Sequence, residues 1–505
     1  MVKLSELCKD FTDIAPDLDP DIQDLSEDSR YTKPGDLFIA RKGEVSDGRQ
    51  FVGDALKKGA VAVIYEVADG QGLSMQHLQG WDPTIPLLPV NRIDEILGTV
   101  AKRFFNDPTR NLALVGVTGT NGKTSTTQYI AQALSALKLP CGVIGTLGYG
   151  LYPELITSTH TTPDVISLNR YCSHLQKEGA KAIAMEVSSH ALEQKRIAGL
   201  HVHMGILTNL TRDHLDYHHT MAAYAKAKRK LFSHPGLKLA IINADDEFGL
   251  DLLKTLPHYL GKLAYTLDAP VQGLGDIAQI YATNLVLSSH GLAFKVHTPV
   301  GLIVAQTRLL GHFNVANVLA TIGALLGMNY SVNDIERILP LLQSVNGRMQ
   351  MLGGAGKPRV VIDYAHTPDA LAQVLLAIKA HNPERIICIF GCGGDRDKGK
   401  RPFMGKIAET YSDYCIITND NPRHEKPLRI AEEIVTGMTE KSIRAIILDR
   451  KEAILEGIHK AGPNDIVLIA GKGHETYQQI GDVKYPLSDV QIALDVLEND
   501  KHVSS

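Results

Sequence analysis

The sequence predicts an α/β protein of three domains: a central P-loop ATPase with a mostly parallel sheet, a Rossmann-like carboxyl-terminal domain, and a smaller amino-terminal one. Three observations carry this. The 505 residues exceed what one hydrophobic core supports, so about three domains are expected. From residue 111 onward, uninterrupted apolar runs alternate with helical spacers, the pattern of parallel strands covered on both faces. One such run leads into Gly119-Thr120-Asn121-Gly122-Lys123-Thr124-Ser125, a glycine-punctuated turn of the kind that cradles phosphate.

Composition narrows the class. A hydrophobic content of 44% with 21% charged residues is ordinary for a globular protein, and the net charge of −4 argues against a general nucleic-acid binder. No apolar run approaches the roughly 20 residues that span a bilayer, so no membrane insertion is expected. The amino terminus is acidic where a signal peptide needs an apolar core, which predicts a cytoplasmic protein. The six cysteines have neither disulfide nor zinc spacing and read as buried free thiols.

Taken in order, residues 1–109 form the first domain, with short apolar runs at 36–40 and 60–65 and no phosphate loop of its own. Asn106-Asp107-Pro108-Thr109 is a linker, because proline and its neighbour disfavour helix. Residues 110–345 form the second domain. Its buried strands are predicted at 112–117, 182–187, 204–208 and 239–243, with a helix over 126–137. Around 275–310 the alternation of Ala293-Phe294-Lys295-Val296-His297 predicts an antiparallel hairpin. Residues 346–505 form the third domain, with strands at 360–363, 386–390, 414–418, 445–448 and 466–470. Polar clusters at 364–366, 391–401, 419–423 and 471–475 follow four of them. Ligands of open α/β sheets bind at the carboxyl ends of strands, so these clusters are placed to line one cleft.

The chemistry follows from residue types. In the turn at 119–125, glycines let backbone N–H groups approach oxygens, and the helix amino end favours an anion. Lys123 supplies a point charge and Thr124 a hydroxyl for Mg2+, although Val117 stands where the longer phosphate-loop pattern has its first glycine. Glu186, just past a buried strand, is placed to hold Mg2+, with Ser188 or Ser189 as a helix cap beside it. The segment 208–218 is rich in His and Asp and leads to a helix on which Tyr224 and Lys228 share a face. Alone, Lys226, Lys228, Arg229 and Lys230 read as a solvated basic face. The charged run from Asp395 to Arg401 is either a surface or an anion site. In Asp420-Asn421-Pro422-Arg423, proline fixes the turn and the arginine can grip a carboxylate with two parallel hydrogen bonds.

Together these segments resemble the Mur ligase family, ATP-dependent enzymes that add amino acids to the cytoplasmic peptidoglycan precursor. The resemblance covers nearly the whole chain: 119–124, 186–190, Asn209 with Arg212-Asp213-His214-Leu215-Asp216, Asn314 with Asn317, Gly347-Arg348-Met349, Asp363 to Asp369, and Gly471-Lys472-Gly473-His474-Glu475. It points to the branch that joins meso-2,6-diaminopimelate to UDP-N-acetylmuramoyl-L-alanyl-D-glutamate. That implies an amino-terminal domain for the UDP end, a central ATPase, and a last domain for the incoming amino acid. It also implies ATP as co-substrate, an acyl phosphate on D-glutamate, and attack on it by the amine.

By the same resemblance Lys123, Glu186, His214 and Lys228 are catalytic. Mg2+ is held by Thr124, Glu186, His214 and a carbamylated Lys228. ATP meets Gly119, Thr120, Asn121, Gly122, Lys123, Thr124, Ser125, Asn314, Arg348 and Asp363. The muramoyl dipeptide meets Ser29, His160, Thr161, Thr162, Ser188, Gln194 and Arg196. Diaminopimelate meets Arg396, Asp420, Asn421, Pro422, Arg423, Gly471 and Glu475. Arg423 selects it over lysine, which lacks the far carboxylate and would leave the guanidinium unpaired. Glu475 is expected to meet its distal ammonium. His160 and Glu44-Val45-Ser46 depart from the family pattern. The partners implied are small molecules, and a monomer is expected. The rivals are another ligase of the superfamily (a folylpolyglutamate synthase or a D-alanyl-D-alanine-adding enzyme), a P-loop kinase or motor ATPase, and a nucleotide-binding protein without chemistry. The 393–396 and 420–423 segments argue against the first, and the joint presence of Lys123, Glu186, His214 and Lys228 against the last.

Overall fold

The structure, a computed structural model, describes the chain except residues 44–45, 68–71, 75–76, 79–80, 159, 212, 289–290, 355, 440–443 and 500–505, and the side chains of Asp216 and Asn499. Glu44, Val45, Arg212 and the Asp216 side chain, named above, therefore lie outside the described residues. The chain divides into two compact units, Met1–Leu263 and Ala264–Ser505.

The first unit opens on a four-stranded parallel sheet in the order Asp24–Ser26, Asp36–Ala40, Ala62–Glu66, Leu87–Val90. Residues 36–40 are buried throughout, as their apolar run requires. The helix Ile93–Phe104 packs its Ile93, Leu97, Val100 and Ala101 into the same core. Asn106 and Asp107 then take positive φ, ending the helix where the linker was expected.

The second sheet of this unit runs Leu239–Asn243, Met204–Leu207, Ala113–Thr118, Ala182–Glu186, Cys141–Gly145, all parallel, with Gly148–Leu151 antiparallel beside the last. Ala113–Thr118 is central, so the turn that follows it emerges between two neighbouring strands. The helix after the turn is Lys123–Ala136 and starts a turn earlier than predicted. Its Ser/Thr-rich opening reads as turn by propensity, but Thr124, Thr126 and Thr127 are buried, and packing outweighs propensity. The Thr127 hydroxyl bonds back to the Lys123 and Thr124 carbonyls.

In the second unit Ala278–Ser288, Gly291–Thr298 and Gly301–Thr307 form an antiparallel meander, two hairpins where one was predicted. The main sheet there runs Gln350–Gly353, Arg359–Asp363, Ile466–Ala470, Ile386–Phe390, Tyr414–Ile417, Arg444–Ile446. Only the first strand is antiparallel. Separate hydrophobic clusters cover its two faces. The strand predicted at 445–448 is observed at Arg444–Ile446, and Asp449 then caps the helix Arg450–Lys460, accepting from Glu452 N. The small hairpin Tyr477–Ile480 with Val483–Pro486 follows. Among the described residues no helix is long and apolar enough to cross a membrane. All six cysteines are buried free thiols.

Candidate active site

Gly119 has φ 155°, and a Cβ there would fall within the Thr208 hydroxyl, so the close approach of these two segments requires glycine. The turn is pinned from the next strand. Asn121 N donates to Asn209 Oδ1 (2.9 Å), and the Thr208 hydroxyl and Asn209 amide donate to Asn121 O (2.6 and 3.2 Å). The Thr120 hydroxyl accepts from Thr211 N (2.9 Å) and donates to Thr211 O (3.1 Å). Lys123 folds over the turn, donating to Gly119 O (2.9 Å) and Thr120 O (2.8 Å).

Glu186 ends its strand only 1% exposed. It accepts from the Thr124 hydroxyl (3.0 Å), Thr146 N (2.8 Å) and the Thr146 hydroxyl (3.2 Å), all neutral donors. A buried carboxylate held by dipoles alone favours a cation. Among the described residues no three His, Cys, Asp or Glu converge as a metal site. Mg2+ needs less: it keeps waters and takes one or two carboxylates with substrate phosphates. The touching Thr124 hydroxyl and Glu186 carboxylate fit that demand. His214, at φ 53°, lies edge-on to His190 at 5.0 Å and 6.0 Å from the Tyr224 ring.

The basic face expected around Lys228 divides. Lys226 is exposed, Arg229 pairs with Asp251, and Lys230 pairs with Glu193 at 2.7 Å. Lys228 instead is buried, donates to Gly119 O (2.8 Å), and lies 4.4 Å from the Tyr224 ring centre. Burial, helped by the Lys123 charge, pushes its ammonium down to about 6. Near neutral pH it is therefore mostly a free amine.

Beside Glu186 the residues expected at the muramoyl dipeptide gather. The Thr162 hydroxyl donates to Glu186 O (2.9 Å) and accepts from Ser188 N (3.0 Å). Ser188 caps the helix Ser189–Glu193. Arg196 donates to Thr162 O (2.7 Å) and grips Gln194 Oε1 twice (2.9 and 2.7 Å). The Thr161 and Thr146 hydroxyls lie 3.1 Å apart. Burial pushes the Arg196 guanidinium down. His160 is exposed. Ser29 is buried in the turn after the strand Asp24–Ser26 and joins that network through no hydrogen bond among the described residues.

In the second unit the four polar clusters do converge. Lys400 Nζ donates to His366 O (2.7 Å), Gly394 N to Asn421 O (2.9 Å), Arg423 Nη1 to Gly394 O (2.7 Å), and Asn421 Nδ2 to Glu475 Oε2 (2.9 Å). Gly471 has φ 115°, and a Cβ there would stand 2.6 Å from Asp420 Oδ2. Arg423 and Asp395 hold positive φ, strain of the kind that gathers at functional sites. Pro422 is buried, and the Arg423 backbone is fixed by Gln479 O and Gly481 N. Arg396 is exposed. Asp363 accepts from Met349 N (2.7 Å) and Ala365 N (2.8 Å), and burial still pushes its carboxyl up. Arg348 stacks 4.9 Å from the Tyr364 ring. Asn314 is buried on the helix Phe313–Gly327, donating to Leu310 O and accepting from Asn317.

The charged run ends differently from either expectation. Arg401 is fully buried and bonds both oxygens of Glu425 (3.0 and 2.9 Å), Glu433 (2.6 Å) and Gly393 O (3.1 Å). Hydrogen bonds from Arg401 draw Glu425 down to about 2. Four further residues received no role from the sequence. Thr146 carries no motif. The buried Arg450–Asp489 pair, bonded also to Asn419 O and Ala470 O, spans 39 positions with no local signal. Lys472 had one: a lysine between two glycines beside the Glu475 motif position.

Family models match three stretches: "Mur ligase family, catalytic domain" at 21–105, "Mur ligase middle domain" at 117–325, and "Mur ligase, glutamate ligase domain" at 347–473. A UDP-N-acetylmuramoyl-L-alanyl-D-glutamate--2,6-diaminopimelate ligase of Pseudomonas syringae pv. tomato is 47% identical over 95% of this chain and 96% of its own. The Coxiella burnetii protein of that name is 44% identical over 94% and 95%. A solved structure of a ligase so named matches with TM-score 0.76 at 34% identity, over 99% of this chain and 100% of that one. MurF from Acinetobacter baumannii, at 19% identity and TM-score 0.61 over 98% of each chain, shares the fold.

Proposed function

The chain belongs to the Mur ligase family, and from that premise we propose that it joins meso-2,6-diaminopimelate to UDP-N-acetylmuramoyl-L-alanyl-D-glutamate, cleaving ATP to ADP and phosphate, in cytoplasmic peptidoglycan synthesis. Residues 1–109 serve the UDP end, 110–345 ATP, and 346–505 the amino acid, in a monomer. The observation that carries the choice of amino acid is the convergence of Arg423 and Glu475, one cationic and one anionic group, through Gly394 and Asn421.

A carboxylate is a poor acyl donor, because oxide is a poor leaving group. Transfer of the terminal phosphoryl of ATP to the γ-carboxylate of D-glutamate turns that oxygen into phosphate. The amine of diaminopimelate then adds to the carbonyl, and the tetrahedral adduct expels phosphate to leave the amide. The backbone N–H groups of 119–125 cradle the ATP phosphates. Lys123 exchanges its two carbonyl acceptors for phosphate oxygens. Thr124, Glu186, His214 and Lys228 would hold Mg2+, which when bound offsets charge on the transferring phosphoryl.

Lys228 is suited to carbamylation because its buried amine is largely unprotonated. Its nitrogen bonds to the carbon of CO2 and sheds a proton, giving an anion beside Lys123. Asn314, Arg348 and Asp363 serve the nucleotide. Thr161, Thr162, Ser188, Gln194 and Arg196, with Ser29 and His160, orient the muramoyl dipeptide, the acyl donor. Arg423 takes the distal carboxylate and Glu475 the distal ammonium, with Arg396, Asp420, Asn421, Pro422 and Gly471 shaping the pocket. ADP release measured with the UDP-muramoyl dipeptide and a panel of amino acids tests this. Turnover is expected with meso-diaminopimelate and not with lysine; equal turnover with both rejects it.

A further inference from the structure

Lys472 is a fully buried lysine whose ammonium donates to Asn421 Oδ1 (3.0 Å) and Glu475 Oε2 (2.9 Å) and lies 5.4 Å from the Tyr477 ring centre. Asn421 is itself fixed: its Oδ1 accepts from Gln479 N (2.8 Å), and its Nδ2 donates to the same Glu475 Oε2 (2.9 Å). One oxygen of Glu475 thus receives two donors. Its other oxygen, Oε1, takes no hydrogen bond among the described residues. The Glu475 side chain is 18% exposed while that of Lys472 is not exposed at all, so the carboxylate fronts the site and the ammonium backs it.

We propose that Lys472 is a positioning residue for the amino-acid substrate: it anchors one oxygen of Glu475 to the protein and so presents the other to the substrate's distal ammonium. A buried ammonium is costly, and among the described residues its hydrogen-bond acceptors here are Glu475 and Asn421. With Lys472 in place, Glu475 stays ionised in a fixed rotamer. Burial pushes its carboxyl up, but hydrogen bonds from Lys472 and Asn421 outweigh this and hold it below the usual range. Lys472 also cancels the charge of Glu475, so a lone ammonium gains little from net attraction. An amino acid must satisfy Glu475 and Arg423 together. The inference rests on the reading that Glu475 meets the distal ammonium.

The test is a double-mutant cycle on the full chain with all three substrates. Lys472→Met is expected to raise KM for diaminopimelate by about tenfold and leave KM for ATP and for the muramoyl dipeptide unchanged. Glu475→Gln should raise the same KM, and the double variant should match Glu475→Gln alone. Lys472→Met should also acquire a pH dependence absent from the parent. Its KM for diaminopimelate should climb as pH falls from about 8 to about 6, because Glu475 then protonates more readily. The other charged or titratable groups around it, His474, Tyr364, Asp420, Arg348 and Arg450, are common to both proteins. Lys472→Gln keeps a donor and substitutes if the methionine variant does not fold, as judged by its melting curve. Additive penalties, an unchanged KM for diaminopimelate, or equal losses for all three substrates overturn the positioning role. If Glu475→Gln alone leaves that KM unchanged, the underlying reading of Glu475 is what fails.

Discussion

Glu186 ends a buried parallel strand and Glu475 follows one, yet among the described residues the first meets only hydroxyls and a backbone N–H while the second meets a lysine. The contrast extends to the roles the proposed function gives their surroundings, a phosphate end in the first unit and an amino-acid end in the second. At the phosphate end Lys123 and Lys228 both donate to Gly119 O, and burial, helped by the Lys123 charge, pushes the Lys228 ammonium down. At the amino-acid end buried charges are matched: Lys472 with Glu475, Arg401 with Glu425 and Glu433, Arg450 with Asp489. On the proposed function, the first arrangement would be completed by what binds, with metal, phosphate and CO2 bringing the missing charges. The second is complete beforehand, as discrimination between similar amino acids requires, because a rigid pocket penalises the wrong one by leaving a group unpaired.

The sharpest way to break this contrast is Lys228→Ala, which removes the amine proposed to be carbamylated. Turnover is expected to fall by about 1,000-fold, the scale of a lost charge stabiliser in a phosphoryl-transfer site. Formate or acetate at high concentration should restore part of it by replacing the carboxylate-like group. Normal turnover would mean that the phosphate end needs no added anion. Next in size, Arg423→Ala is expected to reduce kcat/KM for diaminopimelate by about 100-fold with KM for ATP unchanged, the cost of unpairing one desolvated charge. Steady-state kinetics with each substrate varied in turn decides it. A variant that instead raises KM for ATP would make the selector part of the nucleotide site.

How much of this was legible depended on whether a contact is local. The strand–turn–helix around 119–125 was legible because strand, glycines, lysine and helix are contiguous from Ala113 to Ala136. The convergence of 364–366, 391–401, 419–423 and 471–475 was legible because a parallel sheet must bring its carboxyl ends together. The fate of individual charges was not. Lys226 and Lys228 are two residues apart on one helix, and only burial separates an exposed ammonium from one pushed down to about 6. Arg401 sits in a run of exposed charges, and its partners Glu425 and Glu433 lie on the next connection and helix, beyond any spacing rule. Three-letter motifs name residue types; desolvation, which sets their protonation, is a property of the packed chain.

A smaller effect is expected from Gly119→Ala. The added methyl must displace the Thr208 hydroxyl that anchors Asn121 O, so the turn should open. ATP binding by calorimetry is expected to weaken by about tenfold. Diaminopimelate binding should not change, because no charge in its own pocket is disturbed. If both weaken alike, the two ends are not independently built.

The smallest effect distinguishes crowding from compensation directly. An unfolded lysine titrates near 10.5, and folded Lys228 near 6. Between those values the unfolded chain holds a proton that the folded chain lacks, so stability of the parent protein rises with pH through that window. Lys228→Met has no such proton to exchange. In CO2-free buffer it is expected to be more stable than the parent near neutral pH, by on the order of 1 kcal/mol, since loss of the bond to Gly119 O offsets part of the gain. The difference should shrink as pH approaches 10.5 and reverse once the parent's hydrogen bond is the only term left. Urea unfolding at a series of pH values measures it. A difference independent of pH would show that the Lys228 ammonium is already balanced, and that the phosphate end is as fully paired as the amino-acid end.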